Sequence, residues 1–287
     1  MRRTIPWIDL VIGVAAPAAG LVLLSIGVAD EGPLAFMGWR SLVLAVPGVL
    51  LARPSAVAWR DALPGGAVAV FALGMLGYAL ETADVASVAV VTIGVALGAA
   101  PLLFAAACPR WPGLFESVGS LLVATGLVLL ASTDGFPPGL WLAAASGLGF
   151  AGVVVLTDRV LDDHPAPTVV MPQILIAGVA LVVAGGLLDG VWLPSTGTIG
   201  VLVAAGLATG LAPMLARWRG AEVLGASLAR RLLPLEIVVG VAAGAWAEGI
   251  VPTTGLWAAT GLAVAGGVVV AWPGGRLAES ELFSVGR

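Results

Sequence analysis

Long apolar runs, cut at short intervals by single charges and by proline or glycine, set the rhythm of this chain. Eight stretches carry no charged side chain: 10–29, 62–80, 85–109, 117–133, 135–157, 165–188, 190–216 and 249–275. A helix needs about 20 apolar residues to cross roughly 30 Å of hydrocarbon, so each stretch predicts one membrane-spanning helix. Two more segments are as long but carry charge: 33–52, which holds Arg40, and the region around 225–247, which holds Glu236. Gly32-Pro33, Arg53-Pro54, Pro137-Pro138, Pro165 and Pro252 punctuate the boundaries, where helices end or restart. The expected fold is an all-α integral membrane protein of ten transmembrane helices, with short connections that make successive helices antiparallel neighbours. The run 10–29 follows Arg2-Arg3 like the core of a signal peptide, but it is longer than such cores and reads as the first helix.

The arginines orient this threading. Arg2, Arg3, Arg53, Arg60, Arg110, Arg159, Arg217, Arg219, Arg276 and Arg287 all fall on one side of ten spans. The opposite connections, near Asp30-Glu31, Glu81 to Asp84, Asp134, Asp189 and Glu248, hold none. Basic residues are retained in cytoplasmic loops, which places both termini in the cytoplasm of a multi-pass protein of the bacterial inner (plasma) membrane. Arg230 and Arg231 stay open: they belong to a loop if the ninth helix starts near Leu232, and otherwise to a cytoplasmic vestibule.

Composition narrows the class. Charged residues make up 10% of the chain against about a quarter in soluble domains, and mean hydropathy is +1.08, so the exterior faces lipid. With no lysine and no basic cluster, there is no electrostatic footprint for nucleic acid. Cys108 is the only cysteine, which excludes an intrachain disulfide, and His164 reads as part of a solvated connection beside Asp162 and Asp163. No metal or other cofactor is expected, because the chain lacks the ligands for one. It also lacks a GxxxxGK[ST] loop for nucleotide hydrolysis, and any HExxH or paired intramembrane aspartates for an embedded enzyme. Small-residue faces such as Gly94/Gly98, Gly206/Gly210 and Gly240/Gly244 suit close helix packing, or a surface on which helices slide.

Five spans followed by five suggest duplication, with repeats at 1–134 and 135–287. Shifted by 140 residues, 94–131 lies over 234–271 without gaps; Pro112 then meets Pro252 and Gly126 meets Gly266. An odd number of spans per half inverts the second relative to the first. Inverted five-helix repeats place a substrate site near the bilayer midplane at their interface.

An ionisable group at that depth costs about 2.5 kcal/mol or more, so each calls for a partner or a task. Arg40 is either paired with a carboxylate or snorkelling outward, or it anchors an anionic substrate. Glu236, just after Pro234, is either paired with an arginine or binds protons or an amine. Tyr78, Thr92, Ser146, Thr209 and Gln173 are polar at plausible depth, able to bond a substrate or a neighbouring helix.

Several segments resemble one family. Gly32 to Arg40 (GPLAFMGWR) is similar to the second-helix pattern of EamA-type transporters of the drug/metabolite transporter superfamily, which ends in an arginine. Thr92 to Ala96 followed by Ala100-Pro101-Leu102 resembles the fourth helix of its threonine/homoserine exporter branch. Leu232 to Gly249 and Gly261 to Trp272 resemble its ninth and tenth helices. The resemblance implies a secondary transporter, not an enzyme, that exports an amino acid or related metabolite by alternating access, with proton exchange as a candidate driving force. The implied site is Glu236 and Arg40, with Tyr78, Thr92, Ser146 and Thr209 as polar contacts. Its partners are the lipid bilayer, a small-molecule substrate and protons, with a homodimer as a candidate assembly. A multidrug permease of the same superfamily and a non-transporting scaffold are the alternatives.

Overall fold

The computed structural model describes residues 5–107, 111–161, 163–211 and 234–272. Those residues form ten α-helices and no strand: α1 (Ile5–Glu31), α2 (Pro33–Ala52), α3 (Ala56–Thr82), α4 (Val85–Ala107), α5 (Leu114–Thr133), α6 (Pro138–Asp158), α7 (Ala166–Leu188), α8 (Ile199–Gly206), α9 (Leu235–Glu248) and α10 (Thr254–Val270). A π-helical turn, Leu207–Leu211, continues α8. Helices α2 to α7 are each long and apolar enough to cross a bilayer. Large apolar side chains line the outside, with Leu51 84% exposed and Leu187 70%, which suits hydrocarbon and not water. The buried centre is built from Leu24, Phe36, Met37, Leu130, Leu181 and Ile237.

The expected boundaries of the second to seventh helices lie within a few residues of the observed ones, apart from 62–80, which extends back to Ala56. The eighth differs. The run 190–216 is uncharged throughout, yet Gly190 to Thr198 is not helical and α8 begins only at Ile199. Gly190 takes a left-handed φ of 74° after Asp189 closes α7, a conformation that costs glycine nothing. The loop then folds back: Trp192 packs on Gly186, and its carbonyl accepts the Trp39 indole N–H at 3.2 Å. Likewise α10 starts at Thr254 and not 249, because Gly249 ends α9 at φ 65° and Thr253 caps the next helix by accepting the Leu256 N–H.

The described arginines of the connections gather in space, with Asp61 and Asp158 beside them. Arg53 follows α2, Arg60 opens α3 and Arg159 follows α6, where its Nη2 donates to the Ala107 carbonyl at the end of α4 (2.8 Å). The described arginines outside the helical interior therefore share one end of the bundle. At the other end, carboxylates cap helices from the opposite half of the chain. Asp189 accepts the Leu34 and Ala35 N–H groups of α2, at 3.0 and 3.2 Å, and Glu248 accepts the Val85 N–H of α4 at 3.0 Å. Asp134 accepts the Thr253 hydroxyl beside α10, and Glu31 accepts the Thr198 hydroxyl and the Ser195 N–H before α8. Helix N-termini carry partial positive charge and unpaired N–H groups, so acids belong there.

Glu31, at the acidic rim, makes the pH response of this end testable. Burial pushes its carboxyl up, but hydrogen bonds from Ser195 and Thr198 outweigh burial and hold it below the ordinary carboxylate value. A depressed folded pKa contributes stability above the unfolded value, and that contribution is lost as pH falls through the folded one. Wild type is therefore expected to lose more thermal stability than Glu31→Gln when melting curves are run from neutral pH into the acid range. Parallel acid losses in the two proteins would contradict this.

Two antiparallel seams hold the bundle together, α2 on α7 and α5 on α10, both built on glycine. A Cβ added to Gly38 would lie 2.5 Å from the Val182 nitrogen, and one on Gly178 would lie 2.8 Å from Leu42. Adding 140 to Gly38 and Leu42 gives Gly178 and Val182, so the two contacts exchange. The other seam repeats the relation. A Cβ on Gly119 would lie 2.6 Å from the Gly266 carbonyl, and one on Gly126 would lie 3.0 Å from the Ala259 carbonyl. Adding 140 turns 119 and 126 into 259 and 266.

Candidate functional site

Arg40 projects from α2 seven residues after Pro33, about 10 Å in from the acidic end of the bundle. It is 8% exposed. Its Nε donates to Thr209 Oγ1 at 2.9 Å. Thr209 sits in the π turn of α8 and donates its own proton to the Ala205 carbonyl at 2.6 Å, so a lone pair is left to face the guanidinium. A π turn widens the helix locally and is common where a side chain serves a site. Gly20 of α1 has no side chain to hold Thr209 away, and Gly206 passes beside the Arg40 backbone. Among the described residues, Arg40 Nη1 is buried without a hydrogen-bond partner. Among the described residues, no salt bridge includes Arg40, so it is not paired with Glu236 or any other described carboxylate.

One other buried side-chain atom among the described residues lacks a hydrogen-bond partner, Nε2 of Gln173 on α7. The Thr157 hydroxyl of α6 lies 2.7 Å from the Val153 carbonyl and 3.0 Å from Gln173 Oε1, with one proton for two acceptors. Gly65 of α3 leaves room for the amide. Arg40 thus lies among α1, α2 and α8, and Gln173 among α6, α7 and α3. Exchanging the first five helices for the last five converts one set into the other.

The remaining expected residues sit elsewhere. Thr92 on α4 is buried and donates to the Ala143 carbonyl at 3.2 Å; Ser146 is fully buried and donates to the Ala72 carbonyl at 2.8 Å. These two bonds tie α6 to α4 and α3. Tyr78 packs partly buried against the core on α3, where its carbonyl accepts the Thr82 hydroxyl. Glu236 is in the first turn of α9, partly buried, two residues after Pro234, whose ring packs on Gly267 of α10. Arg230 and Arg231 lie outside the described residues, as do Cys108 and Asp162. Of the six expected site residues, the structure joins only Arg40 and Thr209.

His164 is not the solvated connector expected beside Asp162 and Asp163. Its side chain is 14% exposed and its Nε2 lies 3.1 Å from Oδ2 of Asp61 on α3, whose Oδ1 accepts from Arg60 Nε at 3.3 Å. Nothing in the sequence links positions 61 and 164; the pairing exists because the start of α7 packs beside the start of α3. Gln173 was visible as a polar residue in an apolar run, but its relation to Arg40 was not.

No family model and no curated protein matches the chain. It is similar to a solved structure described only as "Crystal structure of protein", with a TM-score of 0.61 and 20% identity over 91% of this chain and 96% of the other. That likeness shows the fold and extends over nearly the whole chain. The class so defined is an all-helical protein whose long apolar helices suit a membrane.

Proposed function

We propose that this chain is a secondary transporter that exports a small metabolite, an amino acid or related compound in the first instance, across a bacterial plasma membrane. Ten spans in two inverted five-helix halves, with both termini cytoplasmic, form its frame. The halves alternate access to a site near the midplane between α2, α7, α1 and α8, and proton exchange through Glu236 is the candidate driving force. The contacts that exchange under a shift of 140 at both seams support the repeat, and the segregation of Arg53, Arg60 and Arg159 supports the orientation. The observation that carries the reading is Arg40: a buried cation beside a π turn, with a donor atom that has no hydrogen-bond partner among the described residues. Charges at bilayer depth mark substrate and ion paths, and π turns are frequent at functional sites. A scaffold has no use for such a group.

Flux tests this directly. Purified protein in vesicles is expected to exchange a labelled amino acid or related metabolite from a broad panel, faster with an imposed pH gradient. Glu236→Gln is expected to cut that flux by about 10-fold or more while the protein remains folded and inserted. Absence of flux for every compound would remove the transporter reading; unchanged flux in Glu236→Gln would remove the coupling role.

A further inference from the structure

We infer that Arg40 is the anchor for the carboxylate of a small organic cargo, so that the cargo carries one free carboxylate group. The inference rests on the transporter reading above and names its substrate class. A structural arginine at this depth would be expected to meet a carboxylate or fill its donors with carbonyls. Arg40 does neither among the described residues: Nε is spent on Thr209, Nη1 is buried and unpaired, and no described acid lies within ion-pair distance. The guanidinium is planar and always charged, and its fork matches the spacing of two carboxylate oxygens.

Charge balance selects the class of anion. One guanidinium matches one carboxylate, so a single carboxylate compensates Arg40, whereas a phosphate dianion would bring an uncompensated charge to bilayer depth. The empty state holds an uncompensated buried cation, and binding of the anion removes that penalty. Ligand binding should therefore stabilise the protein by mass action, whether or not transport is being measured.

The test uses the full chain in detergent, with thermal stability followed against acetate, L-alanine and L-alaninamide. Acetate and alanine share the carboxylate and differ in the amine; alaninamide keeps the amine and lacks the acid. Both carboxylates are expected to raise Tm in a saturable way, and alaninamide is not. If alanine acts and acetate does not, the anchor stands and the cargo is an amino acid; the reverse makes it a plain acid. Arg40→Gln is expected to weaken apparent affinity about 10- to 100-fold, and Arg40→Lys, which keeps the charge without the fork, less. An equal response to the amide, an Arg40→Gln protein that responds like wild type, or no response to either carboxylate overturns the inference. Vesicle flux separates the two readings: flux of cationic or neutral compounds that survives Arg40→Gln leaves a transporter without this anchor. Carboxylate binding that Arg40→Gln abolishes, with no flux of any compound, leaves the anchor without a transporter.

Discussion

Replacing Arg40 with methionine is expected to make the protein more stable and to abolish its flux. The side chain is buried and, among the described residues, its Nη1 has no hydrogen-bond partner and Thr209 is the polar side chain it bonds. Removing an uncompensated cation from the interior relieves a desolvation penalty, and methionine fills most of the same volume. The gain should be roughly 1–3 kcal/mol after the loss of the Thr209 bond is subtracted. For a chain of this size each kcal/mol moves Tm by about 2–4 °C, which a detergent melting curve resolves. A substitution that raises Tm while stopping transport marks a group kept for its task. A fall in Tm would mean instead that Arg40 holds the bundle together.

The opposite effect is expected at the α5–α10 seam. A Cβ on Gly119 would lie 2.6 Å from the Gly266 carbonyl and 2.9 Å from the Val270 nitrogen, and neither backbone atom can turn aside. Gly119→Leu must push the two helices apart, and overpacking of this kind costs about 1–3 kcal/mol or more. It is expected to lower Tm by several degrees and to reduce the yield of monodisperse protein. Gly261 is the control on the same pair of helices: nothing lies within 4 Å of its added Cβ, and Gly261→Leu is expected to leave Tm within about 1–2 °C. Equal effects at the two positions would deny that the seam is set by close approach.

How much of this was readable beforehand depended on what kind of physics each feature uses. The helices α4 to α7 were legible because a run without charge, closed by proline, glycine or an acid, has few other solutions in lipid. The loop from Gly190 to Thr198 was not, since Val191, Trp192 and Leu193 are as apolar as a span and only Trp192 packing on Gly186 reveals the fold-back. Hydroxyls could not be told apart by sequence: Thr92, Ser146 and Thr209 all sit in apolar runs, yet two bond helix carbonyls across the bundle and one meets Arg40. The 140-residue shift was visible over 94–131. Its extension to Gly38 and Gly178 was hidden, because an apolar match without its contact carries little information. The acids were recognised as end residues, but each bonds a helix start 119 to 167 positions away in sequence, and the pattern of runs does not encode such pairings.

The seams also govern how the chain can be made. A ribosome reaching Thr133 has delivered α5 with the notch at Gly119 and Gly126 open, and its mate is not synthesised until Thr254 to Val270 emerges. The same delay applies to α2, which waits for α7. Early helices must therefore linger in lipid without their tightest neighbours, and a nascent chain stopped before α10 would present an unfilled groove to any assembly factor or protease nearby.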